Sequence, residues 1–168
     1  QQMKTLFSPL AIYLIVTLAI AHISKAQNSP KDYLQTHNAA RAEVGVSPLI
    51  WNATLADFSK NLSIQRIKDC NLVDASPPSG YGENIAEASY PIAGVEAVKL
   101  WANEKVYYDY DKNECVGRNC WHYIQAVWNR TIGVGCERSR CNNGIWFVSC
   151  NYYPPGNLFD RPYAKPKN

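Results

Sequence analysis

Cys120-Trp121-His122-Tyr123-Ile124-Gln125-Ala126-Val127-Trp128 brings an imidazole, two indoles, a phenol and a thiol into nine consecutive residues. An imidazole in such a setting acts as base, acid, hydrogen-bond relay or metal ligand, according to its partners. Only two histidines stand outside the first 26 residues, His37 and His122. Of the other polar residues, His37, Glu83 and Glu104 make most sense as partners for His122. Two hydrolytic signatures are missing: there is no HExxH metal motif, and no serine or cysteine nucleophile stands beside a histidine.

These residues need elements to position them. Ser29-Pro30-Lys31-Asp32 reads as a helix start, with a serine cap, proline at the first helical position and an acid three residues after the cap. Tyr33, His37, Ala40 and Val44 then recur at helical spacing until Gly45, which puts His37 on the buried stripe. A lone histidine there is ordinarily a hydrogen-bonded core residue unless ligand partners are found. Residues 48–51 turn into a second helix whose apolar face is Trp51, Leu55, Phe58 and Leu62, with Asp57, Lys60 and Arg66 off that face. It fades near Lys68-Asp69, and Cys70 tethers a loop centred on Ser76-Pro77-Pro78-Ser79-Gly80. Glu83 sits in a short polar group, Gly82-Glu83-Asn84-Ile85, and by itself reads as a solvated carboxylate. A third helix is predicted over 91–107, with Val95, Val98 and Trp101 on one stripe. Ala93, Ala97, Leu100 and Glu104 form the adjacent stripe, which sets Glu104 at the edge of a packed face. Residues 132–137 and 145–152 read as two strands joined by a turn at Asn142-Asn143-Gly144. Alternation within 122–128 also looks strand-like.

The first 26 residues have the pattern of a secretory signal, with Met3 as initiator. Lys4 gives the positive start, residues 10–20 are almost unbroken apolar, and Ser24-Lys25-Ala26 fits a cleavage site. The run is shorter than the ~20 residues that a membrane span needs. One domain is expected over 27–163, followed by a short basic tail at 164–168. Without Lys4 and Lys25 the formal charge of +3 becomes +1, which gives nucleic acid little electrostatic footing. An even number of cysteines, at 70, 115, 120, 136, 141 and 150, points to three disulfides, with about fifteen connectivities open. The rival, a zinc cluster of Cys115, Cys120, Cys136 and Cys141, has loose spacing and an oxidising compartment against it. Asn52-Ala53-Thr54, Asn61-Leu62-Ser63 and Asn129-Arg130-Thr131 are glycosylation motifs.

Five segments in order carry a family resemblance: 33–41 (Tyr-Leu-Gln-Thr-His-Asn-Ala-Ala-Arg), Gly82-Glu83-Asn84, 100–104 (Leu-Trp-Ala-Asn-Glu), 122–128, and 147–157 (Phe-Val-Ser-Cys-Asn-Tyr-Tyr-Pro-Pro-Gly-Asn). The chain resembles plant pathogenesis-related class-1 proteins, part of the CAP superfamily with the cysteine-rich secretory proteins and venom antigen-5 allergens. The resemblance implies an α+β fold, a three-layer α-β-α sandwich around a small antiparallel sheet, with a short helix at 122–127. It implies disulfides Cys70–Cys141, Cys115–Cys120 and Cys136–Cys150, the long first link stabilising most, by roughly 3–5 kcal/mol. It also implies a central cleft holding His37, Glu83, Glu104 and His122. Two neutral imidazoles with carboxylates suit zinc, leaving a position for water; they equally suit a metal-free network in which carboxylates orient imidazoles. No cofactor is required on this reading. Ile124 and Trp121 depart from the family's smaller residues and are expected to make the cleft wall bulkier. The Cys115–Cys120 segment and the segment after Asn157 are each one residue short.

The function implied is that of a secreted, monomeric, non-enzymatic defence protein acting on fungi and oomycetes by binding sterols or other lipids. The lipid groove is expected at the third helix and Tyr107, Tyr108 and Tyr110. Microbial membrane components are further expected partners, and the apoplast the expected location, with the vacuole the alternative. Two other readings stand beside it. One is a metal-assisted hydrolase built on the four cleft residues. The other is a precursor whose C-terminal peptide, from Pro154, is released to act on a receptor.

Overall fold

Ser29 starts the first helix as the sequence predicts. In the computed structural model, α1 spans Pro30–Glu43; Ser29 Oγ accepts from the Asp32 N–H, and the Asp32 carboxylate accepts from the Ser29 N–H. The structure describes Tyr13, residues 27–68, Cys70 and residues 80–165. The expected leader apart from Tyr13, the 71–79 part of the proline-rich loop and the last three residues of the tail lie outside the described residues.

After α1 the chain departs from the sequence reading. Trp51 is not on a helix but in β1 (Ile50–Trp51), and Asn52 caps α2 (Ala53–Arg66) through its side-chain oxygen. The buried side of α2 is Leu55, Ser59, Leu62, Ser63 and Arg66, so Arg66 points inward rather than off the face. Next come β2 (Gly82–Ala88), α3 (Gly94–Asn103), a 3-10 turn (Glu104–Tyr107) and the small pair β3 (Tyr108–Asp109) and β4 (Glu114–Cys115). The third helix is therefore shorter than predicted at both ends. Gly94 opens it where Tyr33 packs: a Cβ there would meet that ring at 2.2 Å. Leu100, expected to pack, is half exposed. The chain ends with α4 (Trp121–Ala126), β5 (Gly133–Arg140) and β6 (Trp146–Tyr153). The 122–127 segment is a helix, as the resemblance implies and against its strand-like alternation.

The main sheet has the order β1-β5-β6-β2, with β1 parallel to β5 and the other pairs antiparallel. Alternation along β5 and β6 divides its two faces. Val134, Cys136, Val148, Cys150 and Tyr152 pack with Tyr33 of α1 and Ala97, Val98 and Trp101 of α3 in the main core. The opposite face presents Gly135, Ser149 and Asn151 to α2, and it is polar. Ser59 Oγ lies 2.7 Å from Asn151 Oδ1 and 3.0 Å from the Gly135 carbonyl. A second core joins Ala40 of α1 to Tyr123, Ile124, Val127, Trp128 and Tyr163. The result is the three-layer α-β-α arrangement. The disulfides are Cys70–Cys141, Cys115–Cys120 and Cys136–Cys150, the last joining directly opposed residues of β5 and β6. No helix among the described residues is long and apolar enough to cross a membrane.

Candidate functional site

Glu104 stands where α3 tightens into the 3-10 turn, and its carboxylate reaches the start of α4. Oε2 accepts from the backbone N–H groups of His122 (3.1 Å) and Tyr123 (3.3 Å), while Oε1 accepts from His122 Nδ1–H at 2.6 Å. Cys120, at the cap position, provides no side-chain bond. Glu104 thus does two jobs: it satisfies amides that a helix start leaves unpaired, and it fixes the ring of His122. The His122 ring stacks on Trp101 with centroids 6.2 Å apart.

His37 belongs to a different network. It is fully buried; Nδ1–H donates to the Tyr33 carbonyl (2.8 Å), so Nε2 accepts from the Tyr152 hydroxyl (2.8 Å). Asn84 Nδ2 donates to that hydroxyl (3.1 Å) and to the His122 carbonyl (3.0 Å), which joins the two networks through backbone and amide. Burial, with Arg41 nearby, lowers the His37 pKa to about 4, so the ring is neutral. Burial likewise pushes the Tyr152 phenol well above its usual range.

Glu83 is committed elsewhere again. Its two oxygens accept from Arg66 Nη1 (2.8 Å) and Nη2 (3.1 Å), and Oε1 also accepts from Ser149 Oγ (3.0 Å). The four residues implied for the cleft therefore hold three separate partnerships: Glu104 with His122, His37 with Tyr152, and Glu83 with Arg66. Among the described residues no group of three or more His, Cys, Asp or Glu side chains could hold a metal ion. A site built on both imidazoles would need the Tyr152 hydroxyl to leave His37 Nε2. As arranged, these residues do not fit the zinc site that the resemblance allows.

An open cavity of about 700 Å³ lies beside the Glu104 end of this cluster, lined by Leu100, Asn103, Glu104, Val106, Tyr107 and Arg118 among others. Val106 is 72% exposed, and the Arg118 guanidinium lies 5.7 Å from the Tyr107 ring centre. Of the three tyrosines expected to form a lipid groove, only Tyr107 lines this cavity. Tyr108 and Tyr110 pack against Tyr163, and Tyr108 also against Tyr123, in the second core. Burial raises the Tyr108 pKa to about 12. Trp121 and Ile124 line a separate cavity of about 320 Å³ with Leu158 and Phe159, so their bulk does not narrow the one beside Glu104.

Sequence reasoning missed Arg66, Asn84, Ser149, Tyr152 and Arg41. Arg41 is fully buried, with no carboxylate partner among the described residues; its guanidinium donates to the carbonyls of Ser47, Ala126, Trp128 and Thr131. Burial lowers its pKa to about 10, which leaves it charged at neutral pH. One signal was available, since Arg41 stands four residues after His37 on the same helical stripe. The segment from Pro154 is also held down. The Ile132 N–H donates to the Tyr153 carbonyl, Thr131 Oγ1 to the Pro154 carbonyl, and the Gly156 N–H to Gln125 Oε1.

Comparison with known proteins matches residues 34–152 to the family described as CAP: Cysteine-rich secretory protein family. The chain is 50% identical over 151 residues to the basic form of pathogenesis-related protein 1 from Nicotiana tabacum, covering 89% of this chain and 84% of that protein. It is equally identical over 151 residues to pathogenesis-related leaf protein 6 from Solanum lycopersicum, covering 89% and 92%. Among solved structures it is similar to Schistosoma mansoni venom allergen-like protein 4, with a TM-score of 0.69, 29% identity and coverage of 82% of this chain and 95% of that one. NaASP2 with Zn2+ gives a TM-score of 0.62 at 22% identity, covering 82% and 86%, a likeness of fold.

Proposed function

The chain belongs to the CAP family of cysteine-rich secretory proteins, in its pathogenesis-related protein 1 branch, and from that premise we propose that it is a secreted, non-enzymatic defence protein that sequesters sterols or related lipids. The observation that carries this reading is the cavity beside Glu104. Its volume of about 700 Å³ falls in the range of small-molecule sites. Leu100, Val106 and Tyr107 give it apolar surface for a ring system, and Asn103, Glu104 and Arg118 give it polar groups for a hydroxyl. Three disulfides suit an extracellular protein.

The arrangement gives less support to metal-assisted hydrolysis. Both ring nitrogens of His37 and both oxygens of Glu83 are already engaged, which leaves the Glu104–His122 pair alone. One fold neighbour is described with Zn2+, but that likeness extends to the fold only.

Competition of a labelled sterol against unlabelled sterol and a fatty acid tests the reading. Val106→Asp alters an exposed cavity residue, so the fold should be intact, and the affinity should fall about tenfold or more, the loss of ~1.4 kcal/mol. Unchanged affinity in this variant would remove the cavity from the account, and no saturable binding by the wild type would remove sterol.

A further inference from the structure

We propose that Asn52 carries an N-linked glycan whose first sugar ring lies against Tyr81 and Tyr153. Asn52, Thr54, Leu55, Gly80, Tyr81 and Tyr153 line an open cavity of about 420 Å³ at the β1 end of the sheet. The Asn52 backbone is fixed to β5, its N–H donating to the Val134 carbonyl, and its Oδ1 caps α2 at the Leu55 N–H. Capping uses only the oxygen, so the amide nitrogen remains for the glycosidic link. The transfer is a displacement at the anomeric carbon of a lipid-linked oligosaccharide. The N–C bond forms, the C–O bond to pyrophosphate breaks, one amide proton is lost and the lipid pyrophosphate leaves.

The three glycosylation motifs differ in what folding leaves open. Asn61 and Asn129 are exposed, yet the hydroxyl residues of their motifs, Ser63 and Thr131, are each only 2% exposed. Thr131 Oγ1 is moreover committed to the Pro154 carbonyl. Asn52 is half-buried, but its motif is the one of the three whose hydroxyl residue, Thr54, is exposed in the folded domain, so a glycan at Asn52 leaves from a surface where both motif residues meet the open cavity.

The neighbouring surface suits a sugar. Tyr153 is 53% exposed, and Ile50 and Ile132 on adjoining backbone are each 60% exposed; the Ile50 N–H donates to the Ile132 carbonyl and the Ile132 N–H to the Tyr153 carbonyl. Phe58, Tyr81 and Tyr153 form an edge-to-face series with centroids 5.0 and 5.9 Å apart. An N-acetylhexosamine ring has an apolar C–H face to cover such rings and a polar edge for the exposed Thr54. This inference is independent of lipid binding.

The test directs the full chain into the secretory pathway of a plant cell by a host leader and maps glycopeptides by mass. A glycan on Asn52 is expected, and it should vanish in Thr54→Ala, which keeps the cap residue. Enzymatic removal of the glycan should lower Tm by about 3 °C. In Tyr153→Ala that shift should shrink to near zero while occupancy is unchanged. An unmodified Asn52 in the secreted protein overturns the proposal, as does an equal Tm shift in the wild type and Tyr153→Ala.

Discussion

Glu83 has little access to water, and both of its oxygens rest on a guanidinium that is 4% exposed. Removing one partner of such a pair strands the other charge, which costs more than the pair itself contributes. Glu83→Gln is therefore expected to lower unfolding free energy by about 3 kcal/mol in urea denaturation. Arg66→Met combined with Glu83→Gln should recover part of that loss; a double variant as unstable as the sum of the singles would contradict the pairing. His37 makes a second prediction. The unfolded chain takes up a proton near pH 6.5, whereas the buried ring stays neutral down to about pH 4. Within that window the unfolded state binds more protons, so stability falls as pH falls; above pH 6.5 the group contributes no pH dependence. The drop attributable to His37 is on the order of 3 kcal/mol between pH 6.5 and 4. Urea midpoints across that range should show a shallower slope in His37→Gln, and an identical slope would refute the assignment.

At the scale of elements, α4 depends on a cap from outside itself. Glu104→Ala should raise amide exchange at His122 and Tyr123 and cost about 1–2 kcal/mol, the usual loss for a helix cap. Exchange unchanged at both amides would show that the helix start finds its partners elsewhere. The seat of α2 on the sheet rests on Gly135, where a Cβ would meet the Ala56 nitrogen at 2.1 Å, backbone against backbone. Gly135→Ala should cost about 3 kcal/mol by pushing the helix off β5. Gly133→Ala, whose Cβ would meet nothing closer than 3.4 Å, is the control and should cost much less. The sequence revealed these elements unequally. For α1, a capping box, helical spacing and a terminal glycine all agree, and the helix ends where they say. Trp51 was misread because a two-residue strand has no alternation to detect. Arg66 was misread because hydropathy assumes an apolar sheet face, and the face that α2 meets is built of Gly135, Ser149 and Asn151.

For the whole molecule, the four cleft residues came from resemblance rather than spacing, and the sequence could not show what each would bind. Tyr152 meets His37 across 115 positions, and Asn84 meets the His122 carbonyl across 38, contacts that only the closed fold creates. Tyr110 likewise joins Tyr163, 53 positions on, through a hydroxyl-to-carbonyl bond that spacing does not reveal. The closed fold also guards the Tyr153–Pro154 bond, since both flanking carbonyls are hydrogen-bonded. Limited proteolysis of the native protein should give no fragment beginning at Pro154, whereas reduction and denaturation should expose the bond; early release from the native protein would revive the precursor reading. The central claim is that the histidines and glutamates are committed to separate structural partnerships rather than to a shared metal, and that the cavity beside Glu104 is the proposed lipid site. Sterol titration of the disulfide-bonded protein, with and without a strong zinc chelator, tests it most directly. The account predicts saturable binding with the same affinity in both conditions. Binding that disappears with the chelator, or no binding in either, would contradict it.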